Sequence, residues 1–245
     1  MVEPMFWKDF QQAPAEGSSV ELDGSEGKHA ATVRRMRSGE AIQLTNGRGI
    51  RIRGVVTEVL PKSLVVKVTS VRLDENSNNP ITLIQALAKG DRDELAIQAA
   101  TELGAIQVIP WQAERSISRW DSAKATKGQA RWQLICDEAA KQSLRSHFPQ
   151  VEAVMDSAAV KKAIAQFDQF LILDPTASVG ISSLPTLTGK LALVVGPEGG
   201  ISEEELEMFE QAGATRVHLG ESILRTSTAG VAAIAAIQAL TGGYR

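Results

Sequence analysis

The chain has 245 residues, 43% of them hydrophobic and 22% charged, and a formal net charge of −3. That balance excludes a disordered or fibrous polypeptide, and a length beyond the ~100 to 150 residues of one domain leads us to expect two. No stretch reaches the ~18 uninterrupted apolar residues of a membrane span, and the opening Met1-Val2-Glu3-Pro4-Met5-Phe6-Trp7-Lys8 carries no signal-peptide apolar region, so a cytoplasmic protein without a membrane partner is expected. The single cysteine, Cys136, excludes an internal disulfide and a cysteine-cluster metal site, and His29, His147 and His218 are dispersed; no metal is expected.

Along the chain, the first 27 residues set Lys8 against six acids, whereas residues 28–72 set ten basic residues against two. Strands are predicted at 41–44, 50–53 and 65–71 from β-branched content and alternation, with Asn46-Gly47-Arg48-Gly49 supplying the positive-φ positions of a tight hairpin. A small β-barrel or open sheet follows. The period of two in Ile50-Arg51-Ile52-Arg53 sends the isoleucines to one face and the arginines to the other, concentrating positive charge on one side. Such a local surplus suits a phosphate backbone even in an acidic protein, because screening confines each charge to ~8 to 10 Å; a solvated arginine-rich surface accounts for it equally. The polar run Asp74-Glu75-Asn76-Ser77-Asn78-Asn79-Pro80 marks a boundary, giving domains at 1–75 and 80–245.

Beyond Pro80, strands are predicted at 81–87, 106–109, 170–173, 191–195 and 216–219, with helices between most of them, the pattern of a mostly parallel sheet covered on both faces. A helix over 93–103 places Leu95, Ala99 and Leu103 on one stripe. Ser202 with Glu205 forms a capping box, and a final helix over 229–240 is crowded with alanines that permit close approach of a core neighbour or a second subunit.

Three segments carry chemistry. Gly196-Pro197-Glu198-Gly199-Gly200 follows the apolar strand 191–195, where glycines let backbone groups approach a ligand, yet it is neither the dinucleotide nor the P-loop fingerprint. Leu219-Gly220-Glu221-Ser222-Ile223-Leu224-Arg225-Thr226-Ser227-Thr228 joins a strand to a helix; its hydroxyls can cap helix amides or meet a ligand, while Ile223 and Leu224 suit a pocket wall against an adenine ring. In the helix over 131–145, Arg131, Glu138, Gln142 and Arg145 share a polar stripe opposite Trp132, Ile135, Cys136, Ala139, Ala140 and Ser143. An ordinary salt-bridged face is the competing explanation of that stripe.

Together, Val195-Gly196-Pro197-Glu198-Gly199-Gly200-Ile201-Ser202, the run 219–229 and Glu138-Ala139-Ala140-Lys141-Gln142-Ser143-Leu144-Arg145 resemble the RsmE family, as do Thr101-Glu102-Leu103-Gly104, Glu114-Arg115-Ser116 and the segment from His29 to Arg35, in order along nearly the whole chain. The resemblance implies an N-terminal PUA-like β-barrel that binds RNA, a C-terminal SPOUT α/β domain with a deep trefoil knot, and a homodimer. It implies S-adenosyl-L-methionine-dependent methylation of N3 of a uridine in 16S ribosomal RNA of the small subunit, with no DNA partner. By the same resemblance the cofactor pocket falls on Leu173, Gly196, Glu198, Gly199, Gly200, Leu219, Gly220, Ile223, Leu224, Ser227 and Thr228. Arg145 and Arg225 are candidates for steadying a uracil anion, Glu138 for its proton acceptor or for orienting those arginines, with Glu198 a second carboxylate at the same site, and Arg34, Arg35, Arg37, Arg51 and Arg53 for RNA phosphates. Ala99 stands where the family usually carries a lysine, which removes one expected RNA contact.

Overall fold

The computed structural model describes residues 2–185 and 187–243. Met1 and residues 244 and 245, at the ends of the two predicted domain spans, lie outside the described residues, as does Thr186. The chain divides into two compact units, Met1–Asn76 with Ala140–Phe148, and Ser77–Ala139 with Pro149–Arg245.

The first unit holds β1 (Met5–Trp7), β2 (Ser19–Leu22), α1 (Gly24–Lys28), β3 (Ala41–Thr45), β4 (Ile50–Val59) and β5 (Leu64–Leu73). The strands form one sheet ordered β1-β3-β4-β5-β2, antiparallel except for the β1–β3 pair. Alternation builds its core as predicted: Ile42, Leu44, Ile50, Ile52, Val56, Leu64, Val66 and Val68 are buried on one side, while Arg53 is exposed and Arg51 half-buried. In the β3–β4 hairpin Gly47 and Gly49 take φ of 72° and 99°, and the Asn46 side-chain oxygen accepts from the amides of Arg48 and Ile50.

An unforeseen element of this unit is the segment 140–148. Helix α3 (Ser122–Gln142) ends inside it, so Arg145 lies beyond the helix and not on the stripe with Arg131, Glu138 and Gln142. The ending is a Schellman turn: the Arg145 amide donates to Ala140 O (2.8 Å) and the Leu144 amide to Lys141 O (3.1 Å), with Leu144 at φ 56° in the place glycine usually takes. The segment then runs along the β3–β4 hairpin, where Gly49 N–H donates to Ser146 O (2.9 Å), Phe148 N–H to Gly47 O (2.9 Å) and the Thr45 hydroxyl to Ser146 O (3.2 Å).

The second unit holds β6 (Ile81–Ala86), α2 (Arg92–Glu102), β7 (Ala105–Gln112), most of α3, β8 (Gln150–Val151), β9 (Met155–Asp156), α4 (Ser157–Ala163), β10 (Gln169–Leu173), β11 (Leu191–Val195), α5 (Glu203–Glu210), β12 (Thr215–Val217) and α6 (Thr226–Thr241). Its sheet is parallel, ordered β12-β10-β11-β6-β7-β8, with β9 also on β7. Both faces are covered, which is why β11 reads as an unbroken apolar run: Leu191, Leu193 and Val195 join one core with Ile97, Trp132 and Ile234, while Ala192 and Val194 join the other with Leu206 and Phe209. The stripe expected on α2 is displaced. Ala96, Ile97, Ala100 and Thr101 face inward and Leu95 is 51% exposed, because the small alanines seat the helix close against its neighbours, α6 among them.

Candidate functional site

The parallel sheet sends the loops after β10, β11 and β12 out from one edge, the carboxyl ends of neighbouring strands, where an open α/β sheet offers its crevice. They enclose a cavity of about 690 Å³. Of the residues expected at a cofactor pocket, Leu173, Gly196, Glu198, Gly200, Leu219, Gly220, Ile223 and Leu224 line it, as does Arg225; Gly199, Ser227 and Thr228 are not among its lining residues. Glu138 and Arg145 do not line it either, and Arg145 falls in the first unit.

Each wall has a local cause. After β11 the chain must turn back into the buried, capping-boxed Ser202 at the start of α5, and Gly200 does so at φ 73°. At Gly196 a Cβ would stand 2.7 Å from the Ile201 side chain, so the close approach of these two residues requires glycine. Along the third loop, Ile223 is 79% and Leu224 39% exposed although both line the cavity, an apolar rim open at its mouth. The hydroxyls that open α6 do not cap it: the N-cap is Arg225 without a side-chain bond, Thr228 donates to Arg225 O (3.2 Å), and Thr226 reaches across to donate to Gly196 O (2.8 Å). Thr226 thus ties the second and third loops together, a role its sequence position does not reveal.

The charged rim is fixed by pairing. Glu198 accepts from the Lys89 amide and from the Arg92 guanidinium, both at 3.0 Å. Burial alone would raise the Glu198 pKa, but its own amide, that of Lys89 and the Arg92 charge outweigh it and hold the carboxyl below its ordinary range. A group held ionised in this way is a weak proton acceptor near neutral pH. Asp174, on the cavity wall, is likewise kept low: burial pushes upward, and the Thr176 amide and hydroxyl with the Arg216 guanidinium (2.7 Å) pull further down. Arg115 also lines the mouth and donates to Gly199 O (3.3 Å). Arg92 and Asp174 do not stand out in the sequence, because each lies outside the glycine- and hydroxyl-rich runs; Arg115 lies in a motif that carries the family resemblance but has no role of its own there, and Thr226 reads there as a helix cap or a ligand contact.

In the first unit, Arg34, Arg35 and Arg37 are exposed just after α1, where the helical chain widens so that Arg34 N–H bonds five residues back to His29 O (2.9 Å) and Arg35 adopts φ 55°. Arg53 is exposed beside Glu3 (3.5 Å). Arg51 differs: its guanidinium bonds Asp74 (2.7 Å), Gln43 (3.0 Å) and Leu144 O (2.8 Å). Arg131 is bound to Glu94 of α2. Among the described residues no group of three or more His, Cys, Asp or Glu side chains is placed to hold a metal ion, and no helix is long and apolar enough to cross a membrane.

The family models that match this fold give its class, an RNA methyltransferase with a PUA domain ahead of the α/β domain. Residues 75–238 match the family model described as an RNA methyltransferase domain, and residues 22–69 the model described as an RNA methyltransferase PUA domain. A ribosomal RNA small subunit methyltransferase E from Mycobacterium bovis is 40% identical over 249 residues, covering 100% of this chain and 94% of its own length, and that of Bacillus subtilis is 34% identical over 238 residues, covering 93% and 92%. A solved Neisseria gonorrhoeae protein of the same name, bound to S-adenosyl methionine, superposes with a TM-score of 0.85 at 31% identity over 98% of both chains. A Legionella pneumophila methyltransferase solved with bound SAM gives 0.87 at 30% identity, also over 98% of both. The chain belongs to the ribosomal RNA small subunit methyltransferase E family.

Proposed function

We propose that this protein methylates N3 of a uridine in 16S ribosomal RNA of the small subunit, using S-adenosyl-L-methionine and acting as a homodimer. The carrying observation is the cavity walled by the loops after three adjacent parallel strands, bearing the family's glycine and Ile223-Leu224-Arg225-Thr226 motifs. Its size lies within the ~300 to 1,000 Å³ of small-molecule sites. Leu173, Leu219, Ile223 and Leu224 supply apolar walls, and the glycine turns at Gly196 and Gly200 and at Gly220 expose backbone donors and acceptors. These residues fit a ligand with an adenine ring, a ribose and a charged amino-acid tail. When bound, S-adenosyl-L-methionine supplies an electrophilic methyl group.

The chain's own residues must then orient the uracil, accept the N3 proton and face the anionic O2 and O4. Orientation can contribute ~7 to 11 kcal/mol and a general base ~10² to 10⁴ in rate, so positioning dominates. We assign Arg225, at the cavity, and Arg145 to the uracil oxygens, and Glu138 to the proton, as the family resemblance implies; Glu198 is held by Lys89 and Arg92. Ser227, Thr228 and Gly199 stay in the assignment as neighbours of the lining residues. Arg34, Arg35, Arg37 and Arg53 hold phosphates of an unpaired or flipped target, while Arg51 holds the hairpin to the segment that carries Arg145. The division into an RNA-binding domain at 1–75 and a catalytic domain at 80–245, and a trefoil knot in the latter, belong to the same proposal. The exposed Leu95 and Leu240 on α2 and α6, at 51% and 54%, support the homodimer.

The test is nucleoside mass spectrometry of small-subunit RNA incubated with the purified protein and S-adenosyl-L-methionine, together with the same RNA from cells lacking the protein. A new 3-methyluridine in the first and its absence in the second is the expected outcome. A 2′-O-methylated product would overturn the position, and no product would overturn the reading.

A further inference from the structure

Gln85, the penultimate residue of β6, is in register with Val195 of β11, and its side chain is fully buried, 0% exposed. Its Nε2 donates to the Thr226 hydroxyl oxygen (3.0 Å) and to Ala86 O (3.1 Å), and the Thr226 hydroxyl donates in turn to Gly196 O (2.8 Å). The direction of this chain is forced. Gly196 O can only accept, so the Thr226 proton points there and the Thr226 lone pair must face a donor; turning the Gln85 amide over would set its oxygen against the Ala86 carbonyl. The amide is thereby fixed with Oε1 buried and without a hydrogen-bond partner among the described residues.

A buried carbonyl left unpaired costs about 1–3 kcal/mol, and an apolar side chain of similar volume would avoid that cost. Gln85 is therefore a poor choice for stability alone. What it does accomplish is local: Gly196 and Thr226 both line the cavity, one opening the loop after β11 and the other opening α6, and Gln85 is the donor beneath them that fixes the hydroxyl joining the two.

We propose that Gln85 is a positioning residue for the cofactor pocket: from outside the cavity, through Thr226, it sets the spacing of the Gly196 turn and the α6 start. This rests on the S-adenosyl-L-methionine reading above. The burial of an unpaired Oε1 makes the inference sharp, because its removal offsets the lost bonds and predicts that binding falls while stability is kept. Gln85→Met removes the donor and the unpaired oxygen together. Without ligand, its unfolding temperature should stay close to that of the unmodified protein, because the unpaired oxygen goes together with the two bonds from Nε2, while calorimetry should show S-adenosyl-L-methionine bound about tenfold more weakly, the equivalent of ~1.4 kcal/mol. Thr226→Val should weaken binding similarly, Thr226→Ser should restore it, and the Gln85→Met/Thr226→Val pair should be little weaker than either alone, as members of one chain are.

Wild-type affinity in Gln85→Met, or losses that multiply in the double variant, would overturn the inference while the cofactor reading stands. A Gln85→Met chain that unfolds well below the unmodified protein would assign Gln85 to stability and overturn it too. If the unmodified protein gave no heat with S-adenosyl-L-methionine, the cofactor reading itself would fall and the inference with it.

Discussion

Two groups of arginines, one in each unit, are used differently. In the C-terminal unit Arg92 is paired with Glu198, Arg131 with Glu94, and Arg216 with Asp174, Glu203 and Glu210, so that positive charge there fixes loops and helices. In the N-terminal unit Arg34, Arg35 and Arg37 form no ion pair among the described residues and project from one turn, whereas Arg51 of the same basic stretch is spent internally. Counting charges therefore locates a basic region but does not say which of its members can meet a phosphate. Pairing decides that, because a guanidinium already holding a carboxylate and a carbonyl must lose both before it can bind anything else.

The largest effect that sharpens this contrast concerns two carboxylates and not two arginines. Under the proposed assignment of the proton to Glu138 and not to Glu198, which Lys89 and Arg92 hold, Glu138→Gln should lower methyl transfer by about 10² to 10⁴, measured as label incorporated into small-subunit RNA at saturating cofactor. An unchanged rate at every pH would remove Glu138 from the mechanism. Next in size, Arg51→Ala should cost about 1.5–3 kcal/mol in denaturant unfolding, since it removes the bonds to Asp74, Gln43 and Leu144 O, although Arg72 and Ser146 still hold Asp74. The triple change of Arg34, Arg35 and Arg37 to Gln should leave stability within about 0.5 kcal/mol, as for most surface substitutions. The same triple change should reduce the slope of log affinity for RNA against log salt by about 2, since each single-strand phosphate that is no longer neutralised takes ~0.7 from it. Should Arg51→Ala flatten the salt slope without loss of stability, the division between spent and available arginines would be broken.

Features legible in the sequence are those whose cause is local. Alternation in Ile50-Arg51-Ile52-Arg53, the glycines of the 46–49 turn, and the Ser202–Glu205 capping box each depend on neighbours a few residues away, and all three take the expected form. Because the loops after β11 and β12 are continuous runs, their motifs also gather most of the cavity wall. Pairings between distant residues are not legible. Nothing near residue 51 announces that its guanidinium meets a carbonyl at residue 144, and a helical projection carries Arg145 onto a face that ends three residues earlier at Gln142, because leucine at position 144 gives no sign of the left-handed turn that glycine would have advertised. Leu95 misleads for a related reason: on α2 the inward face is made mainly of small residues around Ile97, so hydrophobic size at Leu95 points to the wrong stripe.

The smallest expected effect is also the most discriminating for Glu198. Its pKa is depressed in the folded chain, so its charged form contributes stability that is present above the unfolded value near 4.5 and is lost as pH falls through the lower, folded value. Across the range of about pH 6 to 9, where a general base with a tuned pKa would shape the rate, Glu198 does not change charge. Glu198→Gln keeps an oxygen to accept from Lys89 and gives up only the ion pair with a 44% exposed Arg92, an interaction worth less than about 1 kcal/mol. Its rate against pH should therefore run parallel to that of the unmodified protein and within about threefold of it, one such pair corresponding to less than a factor of roughly 5. Only below about pH 5 should thermal unfolding of the two converge, as protonation removes from the unmodified chain what the substitution has already removed. A lost acid limb in the rate profile of Glu198→Gln would instead mean that the carboxylate leaves Arg92 during turnover and takes up the proton itself.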